Sequence, residues 1–176
     1  LSIPLPFSPV PLSLTNFAVL LAVFLLGWKW GTVSCGIYLL LGLVGVPVFS
    51  GFSGGIAKLL GPTGGYLVGF LFLAVISGLF VEKFEQARLP VAAGMALGML
   101  VDYLFGTLWL AILMKLSFGQ ALMMGVVPYL AGDMVKLIVA LLLGSALRRR
   151  LQQEFNKLHA DQGNIFGTVA LEAAYT

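Results

Sequence analysis

The sequence predicts an all-α fold, a polytopic membrane helix bundle. Of the 176 residues, 60% are hydrophobic and only 10% are charged, and the mean hydropathy is +1.03. A soluble domain of this length cannot enclose so many apolar groups in its core. The apolar residues also fall into five runs, each about long enough to cross a bilayer. We therefore expect five spans in this chain.

The chain begins with a proline-rich connector and two spans. Four prolines within residues 1–12 remove backbone donors and favour extended geometry, so this segment is not expected to be helical. The first span covers residues 13–27 and is followed by a Trp-Lys-Trp sequence, which is typical of an interfacial anchor. The second span covers residues 32–49.

A long glycine-rich connection follows, over residues 50–66. It holds two glycine clusters about ten residues apart, between two spans. Glycines also make ordinary turns, but they let backbone approach a ligand closely, and consecutive N–H groups can bind an anion. It is not a nucleotide P-loop, because no Gly-Lys-Ser/Thr ends it. Its candidate binding residues are Gly54, Gly55 and Tyr66.

The remaining three spans are predicted over residues 66–84, 89–113 and 128–147. The fourth span carries Asp102 near its centre, where we expect a carboxyl group to form a hydrogen bond between helices, with direct contact to a ligand as the less favoured alternative. Before the fifth span, residues 115–127 are predicted to form a short amphipathic connection, in which Ser117 caps a helix.

Composition divides the chain into two parts, and the distribution of charge predicts its orientation in the membrane. Residues 1–150 are predicted to form a transmembrane substrate-binding bundle, and residues 151–176 a cytoplasmic C-terminal tail that is helical only in part. The positive-inside rule places Lys29, the polar turn at residues 82–88 and the arginines at 148–150 on the cytoplasmic side. The proline-rich start and the glycine-rich connection then open to the outside.

Asp133 and Lys136 are the strongest candidate site residues. They are three residues apart, so they share one face of a helix at the head of the fifth span. Ionisable side chains in a span usually face a cavity or a partner. Two interpretations remain open: the pair binds a solute, or Asp133 sits at the positive end of the helix dipole with Lys136 as its ion-pair partner.

The pattern favours a pocket for a small solute, but it leaves a structural role open. A carboxylate, an ammonium and backbone N–H groups together suit a solute with both hydrogen-bond donors and acceptors. A membrane enzyme or a metal site is disfavoured, because the only histidine, His159, lies in the tail and the chain has one cysteine. A structural subunit without a ligand is harder to exclude, because glycine-rich helices pack well without binding anything. The net charge of +3 lies mainly in loops and does not indicate nucleic-acid binding.

Four sequence elements resemble the BioY family, the biotin-specific S components of energy-coupling factor (ECF) transporters. They are IPLPFSPVPLSLTNFAVLLA, GVPVFSGFSGGIAKLLGPTGGYLVGF, GTLWLA and PYLAGDMVKLIVALLL, and the resemblance runs from residue 1 to about residue 150. It implies a six-helix S-component fold of which this chain holds five helices. Leu1 is not an initiator methionine, which agrees with a missing first helix.

The resemblance also implies a function. It implies high-affinity capture of biotin from outside at the cell membrane, with ATP hydrolysis in partner ATPase subunits and a transmembrane coupling protein as the further partner. No cofactor is implied. Asp133 and Lys136 match the family's biotin-contacting acid and lysine, and Ser53 falls in the loop where relatives place a polar contact. The alternative within this class is an S component for another vitamin, thiamin or riboflavin.

Overall fold

The computed structural model describes residues 2–5, 8–84 and 87–174, so parts of the predicted connector, polar turn and tail lie outside the described residues. In chain order the elements are strands β1 (Ser2–Leu5) and β2 (Ser8–Ser13), helices α1 (Thr15–Leu43), α2 (Ile56–Leu60), α3 (Gly64–Lys83), α4 (Arg88–Met114) and α5 (Phe118–Gly125), a 3-10 turn (Val127–Tyr129) and helix α6 (Leu130–Ala174).

Among the described residues, four segments are long and apolar enough to cross a membrane: Thr15–Leu43, Gly64–Lys83, Arg88–Met114 and Phe118–Leu151. Large apolar side chains also remain exposed on the outer faces of the helices, for example Leu40 at 63%, Ile112 at 79% and Val135 at 60%. A soluble protein rarely exposes so much contiguous apolar surface. Apart from the strand pair, the described chain is an all-α bundle with membrane-facing sides.

Helix α1 is broken at Gly27. This residue has φ 77° and ψ 176°, a conformation that favours glycine. A Cβ added to Gly31 would lie 2.7 Å from the Val23 Cα, although residues eight apart on a straight helix are separated by about 12 Å. The two halves of α1 therefore fold back on each other. Two spans were predicted in this stretch, over residues 13–27 and 32–49. The structure has one candidate span here, Thr15–Leu43, whose second half ends at Leu43 rather than at residue 49, and two separate crossings stay a prediction.

The predicted connector forms a two-stranded hairpin. Strands β1 and β2 pair antiparallel, with Ser2 opposite Ser13 and Leu5 opposite Ser8. The register is irregular between Ile3 and Leu5, where Pro4 has no N–H group to donate to the ladder. The extended geometry was predicted correctly, whereas the pairing of the two segments was not predicted.

Helix α3 lies at the centre of the bundle. In its most apolar window 61% of the residues are buried, against 33% or less in the other three segments. Gly106 of α4 packs against the Tyr66 ring of α3 so closely that an added Cβ would overlap the ring. The indole Nε1 of Trp109 donates to the Gly61 carbonyl oxygen at 2.9 Å. Helix α4 is thus tied both to α3 and to the end of the glycine-rich connection.

The predicted cap at Ser117 is confirmed. The Ser117 Oγ accepts from the Gln120 N–H at 3.3 Å, and the Ser117 N–H donates to the Gln120 Oε1 at 3.0 Å. These reciprocal bonds form a capping box at the start of α5. The short helix therefore begins where the sequence predicted.

The segment after residue 150 is more helical than expected. Helix α6 continues to Ala174, which corrects the expectation of a tail that is helical only in part. Its composition explains the difference, because leucine, glutamine, glutamate and alanine all favour helix. Glu154 and Lys157 form an exposed ion pair at 2.9 Å, a contact that contributes little to stability. The cytoplasmic location of this segment stays a prediction.

Candidate functional site

The predicted Asp133/Lys136 pair forms a buried ion pair at the start of α6. The Lys136 Nζ lies 2.7 Å from the Asp133 Oδ1, and the two side chains are only 12% and 6% exposed. Two charges with so little contact with solvent need several hydrogen-bond partners to offset the cost of their desolvation. The partners of this pair come from three other parts of the fold.

Tyr103 of α4 supplies the second contact to the carboxylate. Its hydroxyl donates to the Asp133 Oδ2 at 2.6 Å, so both carboxylate oxygens are held by side chains. A hydrogen bond to a charged acceptor is stronger than one between neutral groups. Sequence reasoning missed Tyr103 as a site residue. The sequence shows that Tyr103 places a hydroxyl group inside an apolar span, but it does not show which residue that hydroxyl contacts.

Lys136 ties the end of β2 and the start of α1 to α6. Its Nζ donates to the Ser13 carbonyl oxygen at 2.5 Å and to the Asn16 Oδ1 at 3.5 Å. Together with Asp133, these contacts use the three N–H donors of the ammonium group. Ser13 and Asn16 were not predicted as site residues, because nothing in their local sequence points to a partner about 120 residues away.

Two tyrosines close the site from other sides. Tyr66, a predicted site residue, donates its hydroxyl to the Gly125 carbonyl oxygen at 2.9 Å. Tyr129 donates to the Val10 carbonyl oxygen, so β2 is attached to the 3-10 turn as well as to Lys136. Both tyrosines are at least 92% buried, with 8% and 5% of their surface exposed.

These groups line a partly open cavity of about 60 Å³. It is lined by Val10, Ser13, Asn16, Tyr66, Phe70, Tyr103, Gly125, Tyr129, Asp133 and Lys136. The fold thus brings three of the predicted site residues, Asp133, Lys136 and Tyr66, to one cavity. Their contact with a solute stays a prediction.

Ser53, Gly54 and Gly55 do not line this cavity. The Ser53 Oγ donates to the Ser50 carbonyl oxygen at 2.8 Å, and the Gly55 N–H donates to the Gly42 carbonyl oxygen at 2.6 Å. A Cβ on Gly54 would lie 2.5 Å from the Val46 carbonyl oxygen. The structure therefore gives these three residues contacts within their own loop and with the end of α1, and their contact with a solute stays a prediction.

The glycine-rich connection reaches a second cavity beside the first. This cavity has a volume of about 50 Å³ and takes Ser50, Lys58 and Thr63 from the connection. It shares four lining residues with the first cavity: Val10, Ser13, Tyr66 and Phe70. The two cavities are therefore neighbours, separated only by side chains and by the end of β2.

Asp102 lies behind the site. It is 4% exposed, and its Oδ1 has no hydrogen-bond partner among the described residues. A Cβ on Gly69 of α3 would overlap this oxygen. The hydrogen bond between helices that the sequence suggested is therefore not formed by Oδ1, and Asp102 does not line the cavity in the described part of the chain.

Comparison with known proteins identifies relatives along most of the chain. Residues 1–153 match the BioY family. The chain is 40% identical to a biotin transporter BioY of Thermotoga maritima over 84% of this chain and 86% of the relative. It is 42% identical to a probable biotin transporter BioY of Pyrococcus horikoshii over 83% and 85%.

A solved structure has the same fold. It is the crystal structure of the S-component for biotin from an ECF-type ABC transporter, with a TM-score of 0.78 and 34% identity, over 84% of this chain and 80% of that chain. Sequence and structure therefore agree on a multi-pass membrane protein, and the chain belongs to the BioY family.

Proposed function

We propose that this chain is the biotin-binding S component of an ECF-type transporter, a transport subunit and not an enzyme. One observation carries the proposal: the family match over residues 1–153 includes every residue that lines the cavity with the buried ion pair. The relatives that match are named as biotin transporters, and the matching solved structure is an S-component for biotin.

The site has the chemistry that a cyclic urea needs. Biotin's ureido group offers two N–H donors and one carbonyl acceptor. Each Asp133 oxygen accepts one bond in the structure and has a second lone pair to accept a ureido N–H. The Lys136 ammonium uses its donors on Asp133, Ser13 and Asn16. Its longest contact, to Asn16 at 3.5 Å, is the one most easily exchanged for the ureido oxygen.

Biotin binding requires the cavity to enlarge. Its volume of about 60 Å³ is small beside the roughly 300–1,000 Å³ of a typical ligand pocket. The adjoining cavity of about 50 Å³ offers the direction of enlargement, since Val10 and Ser13 of β2 lie on the boundary. Displacement of the end of β2 would join the two spaces into one elongated pocket.

The proposal includes a topology and partners. We place five crossings in this chain, with the two halves of α1 as separate spans that reverse at Gly27. The site then opens to the outer side of the cell membrane, and residues 151–176 extend into the cytoplasm. An ECF transmembrane coupling protein and ATPase subunits would supply the ATP-driven step. No resident cofactor takes part.

Calorimetry with the detergent-purified protein tests the function directly. Biotin should bind, whereas riboflavin and thiamin should not. Asp133→Asn and Lys136→Met should each weaken biotin binding by about 1.5–3 kcal/mol, the usual contribution of a hydrogen bond to a charged group. Glu154→Gln and Lys157→Met provide the matched control, because they change an exposed pair with the same spacing and should leave the affinity unchanged.

Two results would contradict the proposal. If the folded wild-type protein binds none of the three vitamins, the Asp133/Lys136 ion pair has a purely structural role. Tight binding of riboflavin or thiamin without biotin would assign the chain to another vitamin.

A further inference from the structure

Lys58 is a half-buried cation on the wall of the second cavity. It projects from the short helix α2 and lines that cavity with the hydroxyl-bearing residues Ser50 and Thr63. In the part of the chain that the structure describes, the Lys58 side chain has no carboxylate partner. A lysine ammonium in a partly apolar cavity without an anionic partner is a favourable contact for an anion.

The rest of this cavity suits an aliphatic chain. Its apolar wall is formed by Phe49, Leu67 and Phe70, and Phe49 and Leu67 are almost fully buried. Thr63 precedes α3, and its side chain makes no capping hydrogen bond, which leaves its hydroxyl available to a ligand. The positive end of the α3 dipole adds a smaller contribution that also favours an anion.

Each of the two neighbouring cavities has one lysine on its wall. Lys136 lies at the first cavity and Lys58 at the second, and the boundary between them consists of residues that line both. Lys136 is already neutralised by Asp133 at 2.7 Å. The ion pair therefore suits an uncharged hydrogen-bonding group, and Lys58 suits a negatively charged one.

We propose that Lys58, with the Thr63 and Ser50 hydroxyls, binds the terminal carboxylate of an elongated ligand whose uncharged polar head lies against Asp133 and Lys136. The proposal rests on the proposed function and deepens it, because biotin has a ureido head, an aliphatic chain and a terminal carboxylate in this order. Lys58 then selects the free acid of biotin over uncharged derivatives such as esters.

Calorimetry with biotin and with biotin methyl ester tests the assignment. The wild type should bind the free acid about tenfold or more tightly than the ester, as expected for one hydrogen-bonded charge pair. Lys58→Met should lose about this factor for the acid and little for the ester. Lys58→Arg, which keeps the charge, should retain most of the preference. Lys29→Met, an exposed lysine beside the turn at Gly27, should behave as the wild type.

The outcomes separate this inference from the function on which it rests. If the wild type binds biotin and Lys58→Met binds it equally well, the carboxylate lies elsewhere and only this inference fails. Equal losses for the acid and the ester would assign Lys58 to the fold rather than to the carboxylate. If the wild type binds no biotin at all, the proposed function fails and the role of Lys58 fails with it.

Discussion

At the scale of single residues, Tyr103 holds the Asp133 carboxylate in place. Tyr103→Phe removes the 2.6 Å hydrogen bond to the Asp133 Oδ2 and keeps the ring. We expect biotin affinity to fall about tenfold, because the carboxylate loses one of its two fixed contacts. Calorimetry measures the change. Tyr38→Phe, which removes a hydroxyl outside the cavity lining, is the control. Equal biotin affinity for the two variants would show that the Tyr103 hydroxyl does not contribute to the binding site.

Asp102 is expected to reduce stability. Its buried Oδ1 lacks a partner among the residues that the structure describes, and burial of a polar group without a hydrogen bond costs about 1–3 kcal/mol in proteins. Asp102→Val should therefore raise the thermal unfolding midpoint in detergent and leave biotin affinity unchanged. Ser77→Ala, which removes a buried hydroxyl that also lacks a partner among the described residues, gives the scale for a smaller polar group. A lower midpoint for Asp102→Val would show that the carboxyl group has a structural or functional partner.

At the scale of elements, the reversal of α1 depends on glycine. Gly31→Ala would place a Cβ 2.7 Å from the Val23 Cα, a backbone atom that cannot move aside alone. We expect a loss of about 1–3 kcal/mol in stability from this overpacking. Gly36→Ala, on the same half of α1 with open space around it, should be neutral or slightly stabilising because alanine favours helix. Thermal unfolding of both variants measures the contrast, and equal midpoints would contradict the close packing of the two halves.

Features that depend on residues close together in the sequence were predictable, whereas contacts between distant helices and strands were not. Ser117 and Gln120 are three residues apart and determine the start of α5 by themselves. Asp133 and Lys136 likewise share a helix face through their spacing. Tyr103, Ser13 and Asn16 reach the same ion pair from other elements. Their role depends on the packing of α1, α4 and α6, which a single sequence does not specify.

At the scale of the whole molecule, the positive-inside rule and the break at Gly27 make one prediction about topology. In a Cys35→Ala background, Lys58→Cys should react with a membrane-impermeant thiol reagent added to intact cells, whereas Lys29→Cys and Arg149→Cys should react only after permeabilisation. The reason is that the two halves of α1 would each cross the membrane. Reaction of Lys29→Cys from outside would show that the first half of α1 does not cross.

Trp109 offers an optical signal for changes at the glycine-rich connection. Its indole N–H donates to the Gly61 carbonyl oxygen at 2.9 Å, immediately before the turn that leads to Thr63 and the second cavity. The other two tryptophans, Trp28 and Trp30, lie beside the break in α1, at the far end of its first half from the site. Ligand entry that displaces the connection should therefore shift the emission of Trp109 against a steady background from the other pair, without any label.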